Sequence, residues 1–89
     1  LHLAALGNHI DMVKMLIMRG ADTEISDKSG NTPLHIAASN GNDRIVELLL
    51  NTMANPNARN SAGKTPLTVA IEASEMTSAQ IIRNNGGKE

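Results

Sequence analysis

The sequence predicts an all-α solenoid of stacked helix pairs, and three observations carry that prediction. The chain repeats itself every 33 residues, it has no Phe, Tyr, Trp or Cys, and the stretches between its helical patterns are rich in Asn, Pro and Gly. Sliding the 89 residues along themselves by 33 positions aligns Leu1, Leu34 and Leu67, then Ala4, Ala37 and Ala70, then Leu16, Leu49 and Ile82, without a gap. A repeat of this length marks a stacked array. A core limited to Leu, Ile, Val, Met and Ala suits thin, closely stacked helices.

By register, the first repeat carries a second helix whose apolar stripe includes Met12 and Met15, so both are expected in the core. Asn8 stands at the turn between its helices, where left-handed backbone is tolerated. The stretch ADTEISDKSG that follows lacks helical periodicity and reads as a loop.

In the central repeat Thr32 is placed to cap a helix beginning at Pro33, because proline at the first helical position sacrifices no hydrogen bond. Leu34, Ile36, Ala37 and Ala38 continue the pattern, and Asn40 with Gly41 ends it. A second helix starts at Asp43, whose carboxylate favours the positive helix end, and runs through Ile45, Val46, Leu48, Leu49 and Leu50. The segment MANPNARNSAG reads as an extended loop with a turn near residues 60–63. Small residues at Ala4, Ala5, Ala37, Ala38 and Ala70 allow neighbouring helix pairs to approach closely.

The last repeat carries Thr77, Ser78, Gln80, Arg83 and Asn84 in its second helix, which suits a terminal unit facing water, so residues 66–86 are expected to cap the array. The chain is thus one domain over 1–89, divided into a truncated first repeat (1–29), a full second repeat (30–62) and a C-terminal capping repeat (63–89). Leu1 enters in mid-motif without Thr, Pro or Met before it, as in a fragment or an array whose earlier repeats are missing.

Composition narrows function. Eight basic against nine acidic residues give a net charge of −1, with no excess to neutralise a phosphate backbone and no aromatic platform for bases, so nucleic acid is not an expected partner. The longest apolar runs, residues 3–6 and 15–18, are four residues each, which predicts no membrane span and no signal-peptide core. Without cysteine there is no disulfide framework and no thiolate, which fits a cytoplasmic setting, with the nucleus or a host cell as alternatives.

The stretch GNTPLHIAASNGNDRIVELLL, followed by Ala54, Asn55 and Asn57, resembles the ankyrin repeat in its Gly, TPLH, Ala pair, Gly and Leu triplet. The resemblance covers essentially the whole chain. It implies an ankyrin-repeat solenoid with projecting hairpin loops, and a non-enzymatic module that binds proteins through hairpin tips and inner helices. Carried onto this chain, those positions are Leu6, Gly7, Ser26, Lys28, Ser29, Asn31, Ser39, Asn40, Arg59, Ser61, Ala62, Lys64, Glu72 and Ala73, expected as one concave strip. It also implies that His2 and His35 tie helix start to loop through the neighbouring Thr. Four departures stand out: Met53 where a Gly usually ends the second helix, Pro56 where a β-branched residue is usual, and Asn8 and Ser74 in place of the interhelical Gly, with more strain expected at Ser74.

No constellation points to chemistry. Ser39, His35 and Asp43 compose a triad only on paper, without a nucleophile elbow. His2, His9 and His35 lack the spacing of a metal site, and no cofactor motif is present. Glu72 and Glu75 read as solvated neighbours on a helix face. Leu6 and Met18 align with polar positions elsewhere, Ser39 and Glu72 for the first, Asn51 and Asn84 for the second, so both are expected to be exposed, covered by a partner or by a missing repeat. Lys28, Arg59 and Lys64 lack an acid at Ser29, Asn31 or Ser61, which predicts a weakly basic edge able to steer an acidic partner. The expected function is a protein–protein interaction module, with a structural alternative: a cap on a longer array, or self-association that hides apolar surface near Leu1, Leu3 and Met12.

Overall fold

Short helices of seven to nine residues are too costly to nucleate alone, so each must gain its stability from a neighbour. The computed structural model describes residues 10–20, 25–52 and 54–89. They form α1 (Ile10–Met18), α2 (Pro33–Asn40), α3 (Asp43–Asn51), α4 (Pro66–Glu72) and α5 (Met76–Asn84). Helices α2 and α4 pack side by side in one layer, while α1, α3 and α5 follow one another in a second, and each helix of the first layer packs on the next helix in the chain.

The termini of α2 fall where the sequence places them. Thr32 accepts a hydrogen bond from the His35 backbone N–H, Pro33 opens the helix, and Gly41 closes it at φ 68°. Thr65 and Pro66 repeat the start of α4, with Thr65 accepting from the Thr68 N–H. Ser74, 33 residues after Gly41, takes the same left-handed turn at φ 61°, the strained geometry expected of it. Asn8, Ala4, Ala5, His2, His9 and Met53 lie outside the described residues.

The core is aliphatic throughout: Leu34, Ala37, Ala38, Ile45, Val46, Leu49, Leu67, Ala70, Ala79 and Ile82 are buried, with Val13 joining from α1. Two expectations are corrected here. Met12 and Met15 are about half exposed, at 49 and 46 %, because α1 turns Val13, Leu16 and Ile17 toward the core instead. Ser78 does not face water; it is 1 % exposed and its hydroxyl donates to the Asp43 carboxylate across the repeat boundary. Asp43 therefore serves as an acceptor between α3 and α5 as well as an acid in the first turn of α3. Thr77, Gln80, Arg83 and Asn84 are exposed.

The loops stack as well. Asp27 Oδ1 accepts from the N–H groups of Ser29 and Asn31, and 33 residues later Asn60 Oδ1 accepts from those of Ala62 and Lys64. Both turns close alike, with Gly30 N–H donating to the Asp27 carbonyl and Gly63 N–H to that of Asn60. The two hairpins are joined by Ser61 N–H to the Ser29 carbonyl and by the Asn60 amide to Asn31 Oδ1, both at 2.9 Å. The last loop holds the C-terminal residues: Asn57 Oδ1 accepts from the Lys88 N–H and its amide donates to the Gly86 carbonyl, while Thr65 Oγ1 donates to the Lys88 carbonyl.

Candidate functional site

His35 locks the hairpins to α2. Its backbone and ring meet Thr32, with the Thr32 N–H donating to Nδ1 at 3.1 Å, and Nε2–H donates to the Lys64 carbonyl of the next hairpin at 2.8 Å. That tautomer satisfies both ends of a buried ring. The ring thereby fixes the floor of a groove between the hairpins and the α2–α4 layer.

This groove encloses about 250 Å³ and is lined by Asn31, His35, Ile36, Ser39, Asn60, Ala62, Lys64, Val69 and Glu72. Ile36 and Val69, one helical turn before Ser39 and Glu72, supply its half-buried apolar part. Lys64 and Glu72 form an ion pair at 2.6 Å, with side chains 40 and 52 % exposed, so its net stabilisation is small, about 1 kcal/mol or less. Its larger effect is to cancel charge. The expected basic edge is therefore reduced to Lys28 and Arg59, because the hairpin base folds Lys64 toward the end of α4, eight residues away.

Among the residues expected to bind, Asn31, Ser39, Ala62, Lys64 and Glu72 come together in this groove. Ser26, Lys28, Ser29, Asn40, Arg59, Ser61 and Ala73 are exposed outside its lining. Leu6 and Gly7 lie outside the described residues. The sequence reading passed over Ile36, Val69, Asn60 and His35 as groove residues, although Ile36 and Val69 recur at the 33-residue period on the same turn as Ser39 and Glu72. It also passed over a second, outer groove of about 410 Å³ lined by Asp11, Lys14, Arg44, Glu47, Leu48 and Asn51. The period carries a signal for it: Asp11 and Lys14 align with Arg44 and Glu47, an exchange of sign at both positions.

The members of the paper triad are occupied elsewhere. Ser39 Oγ donates to the Ile36 carbonyl, His35 is held by Thr32 and Lys64, and Asp43 accepts from Ser78. Glu72 and Glu75 are not neighbours on one helix: the first ends α4, the second precedes α5, and the left-handed turn at Ser74 separates them. Among the described residues no group of three His, Asp or Glu side chains converges as metal ligands, and no helix is long and apolar enough to cross a membrane. Met18 is 86 % exposed, as its alignment with polar positions predicts.

Paired helices in register, stacked hairpins and a groove along the first-helix layer define a helical repeat solenoid. The family model described as ankyrin repeats, in three copies, matches residues 1–88, and the chain belongs to the ankyrin repeat family. No curated protein matches it. Ankyrin repeats are generally protein–protein interaction modules and typically non-enzymatic scaffolds.

Proposed function

We propose that the chain is a protein-binding module that takes its partner along the groove between the hairpins and the α2–α4 layer, shared by the units 30–62 and 63–89. The observation that carries this reading is the groove's make-up: Ile36 and Val69 exposed in part beside Asn31, Ser39, Asn60 and the Lys64–Glu72 pair. An apolar centre ringed by polar groups is how a small number of contacts yields affinity, and the locked hairpins add little ordering cost on binding. Because the local charge is balanced, affinity rests on packing and hydrogen bonding. Lys28 and Arg59 act at the periphery, on the rate of encounter.

The test compares affinity capture by the native chain, by Ser39→Arg, which fills the groove, and by Gln80→Arg on the exposed face of α5. Circular dichroism establishes that all three fold. A protein retained by the native chain and Gln80→Arg but lost with Ser39→Arg supports the groove, whereas equal capture by all three overturns it. A second reading, that residues 66–86 act as the cap of an array, is favoured by the polar, exposed Thr77, Gln80, Arg83 and Asn84 of α5. Under that reading the double variant Gln80→Leu, Arg83→Leu self-associates where the native face stays inert.

A further inference from the structure

Two of the ten asparagines, Asn40 and Asn85, are followed by glycine. An Asn–Gly step is chemically labile, because the glycine nitrogen can attack the preceding carboxamide with no Cβ to hinder the approach. Both steps close a helix: Asn40 is the last residue of α2 and Asn85 the C-cap of α5, and both asparagines are exposed. As dipeptides the two are equivalent.

The structure separates them. Attack requires the carboxamide to turn toward the next backbone nitrogen, and that nitrogen to release its proton. The two nitrogens are held alike: Gly41 N–H is shared between the Ala37 and Ala38 carbonyls, at 3.3 Å from the second, and Gly86 N–H donates to the Arg83 carbonyl at 3.2 Å. The carboxamides are held differently. Asn85 Nδ2 donates to the Ile81 carbonyl at 2.8 Å, and the residues after it are tied to Asn57, which donates to the Gly86 carbonyl and accepts from the Lys88 N–H. The Asn40 carboxamide makes no hydrogen bond to any described residue and is free to rotate onto its neighbour.

We propose that Asn40 is a site of spontaneous modification by Gly41. The Gly41 nitrogen bonds to Asn40 Cγ, the Cγ–Nδ2 bond breaks, and Nδ2 leaves as ammonia with the proton that Gly41 gives up. Water then opens the cyclic imide at either carbonyl, giving aspartate or the isomer whose main chain runs through the side-chain carbons. Both products place a carboxylate at the C-terminus of α2, where the helix field disfavours it, beside the glycine on which the Glu75 carboxylate packs. The isomer also adds a backbone carbon before Gly41. That residue, at φ 68°, and the bond from the Asn42 N–H to the Ala37 carbonyl form the joint between α2 and α3. Asn40 lies outside the lining of the groove, so this site stands or falls independently of binding there.

Peptide mapping by mass spectrometry tests this on the full chain, aged at physiological pH and temperature in water enriched in heavy oxygen, which labels each hydrolysed site. Trypsin places Asn40 in the peptide 29–44 and Asn85 in 84–88. In the folded chain Asn40 is expected to convert about five-fold faster than Asn85, the factor that one hydrogen bond to the Asn85 carboxamide supplies. Unfolded in guanidinium chloride, the two are expected to convert at equal rates. The aged native chain is expected to unfold at lower urea than before, whereas Asn40→Gln, whose longer side chain closes a ring far more slowly, keeps its transition. An Asn40 that stays unlabelled in the folded chain overturns the proposal, as does an Asn85 that converts as fast. An aged native chain that unfolds together with Asn40→Gln overturns the effect on the joint between α2 and α3.

Discussion

Two glycines in equivalent turns separate backbone strain from repeat stacking. Gly30 and Gly63 both sit at φ 76°, a left-handed geometry that costs a side-chain-bearing residue about 1 kcal/mol or more. A Cβ on Gly63 meets nothing within 4 Å, whereas one on Gly30 lands 2.7 Å from the Ser61 backbone nitrogen, the donor that joins the two hairpins. Gly63→Ala is therefore expected to destabilise by about 1 kcal/mol. Gly30→Ala adds overpacking against rigid backbone, a further cost of about 1–3 kcal/mol. Urea unfolding followed by circular dichroism measures both, and equal values would show that the hairpins do not stack closely. Ser74 is the reverse case, a left-handed residue without the glycine its position favours. Ser74→Gly is expected to stabilise by about 0.5–1 kcal/mol, the relief of strain exceeding the greater freedom of the unfolded glycine. This strain was legible in the sequence, because Ser74 aligns with Gly41.

At the scale of the element, legibility followed the chemistry of termini. Thr32, Pro33 and Gly41 act within a few residues of themselves, so the bounds of α2 could be read directly. Ser78 could not: a serine where α3 has Ile45 reads as solvent-facing until Asp43, 35 residues away, supplies its acceptor. The Lys64–Glu72 pair was hidden for a similar reason, since a separation of eight residues across a hairpin base matches no helical spacing. The Met12 and Met15 stripe was visible, but which flank of a helix is covered depends on its neighbours and not on its own period. His35 combines both kinds of information, local through Thr32 and distant through Lys64. His35→Leu leaves the Thr32 N–H and the Lys64 carbonyl without their partners and is expected to cost about 2 kcal/mol or more. Thr68→Val at the equivalent position of α4 removes one weak hydroxyl contact to Thr65, at 3.2 Å, and is expected to cost under about 1 kcal/mol. Comparable losses in the two melts would remove His35 from its role as the lock between repeats.

For the molecule as a whole, stability is the sum of units too short to stand alone and the interfaces between them. Leu49 sits at the centre of this arrangement: it is fully buried in α3, the helix that packs on α1, α2 and α5. Truncating it opens a cavity in an aliphatic core that has no aromatic ring to shift into the space. Leu49→Ala is expected to cost about 2–5 kcal/mol, a large share of what so small a domain possesses. Because α3 joins the units on either side, the loss should appear everywhere at once. Amide hydrogen exchange read along α2, α3, α4 and α5 should accelerate by a common factor. Ile82→Ala, in the terminal unit, is expected to speed exchange in α4 and α5 more than in α2 and α3. A Leu49→Ala chain whose α4 and α5 keep native protection would show that the last unit is stable without its neighbour. The nearest-neighbour account of this fold would then be wrong.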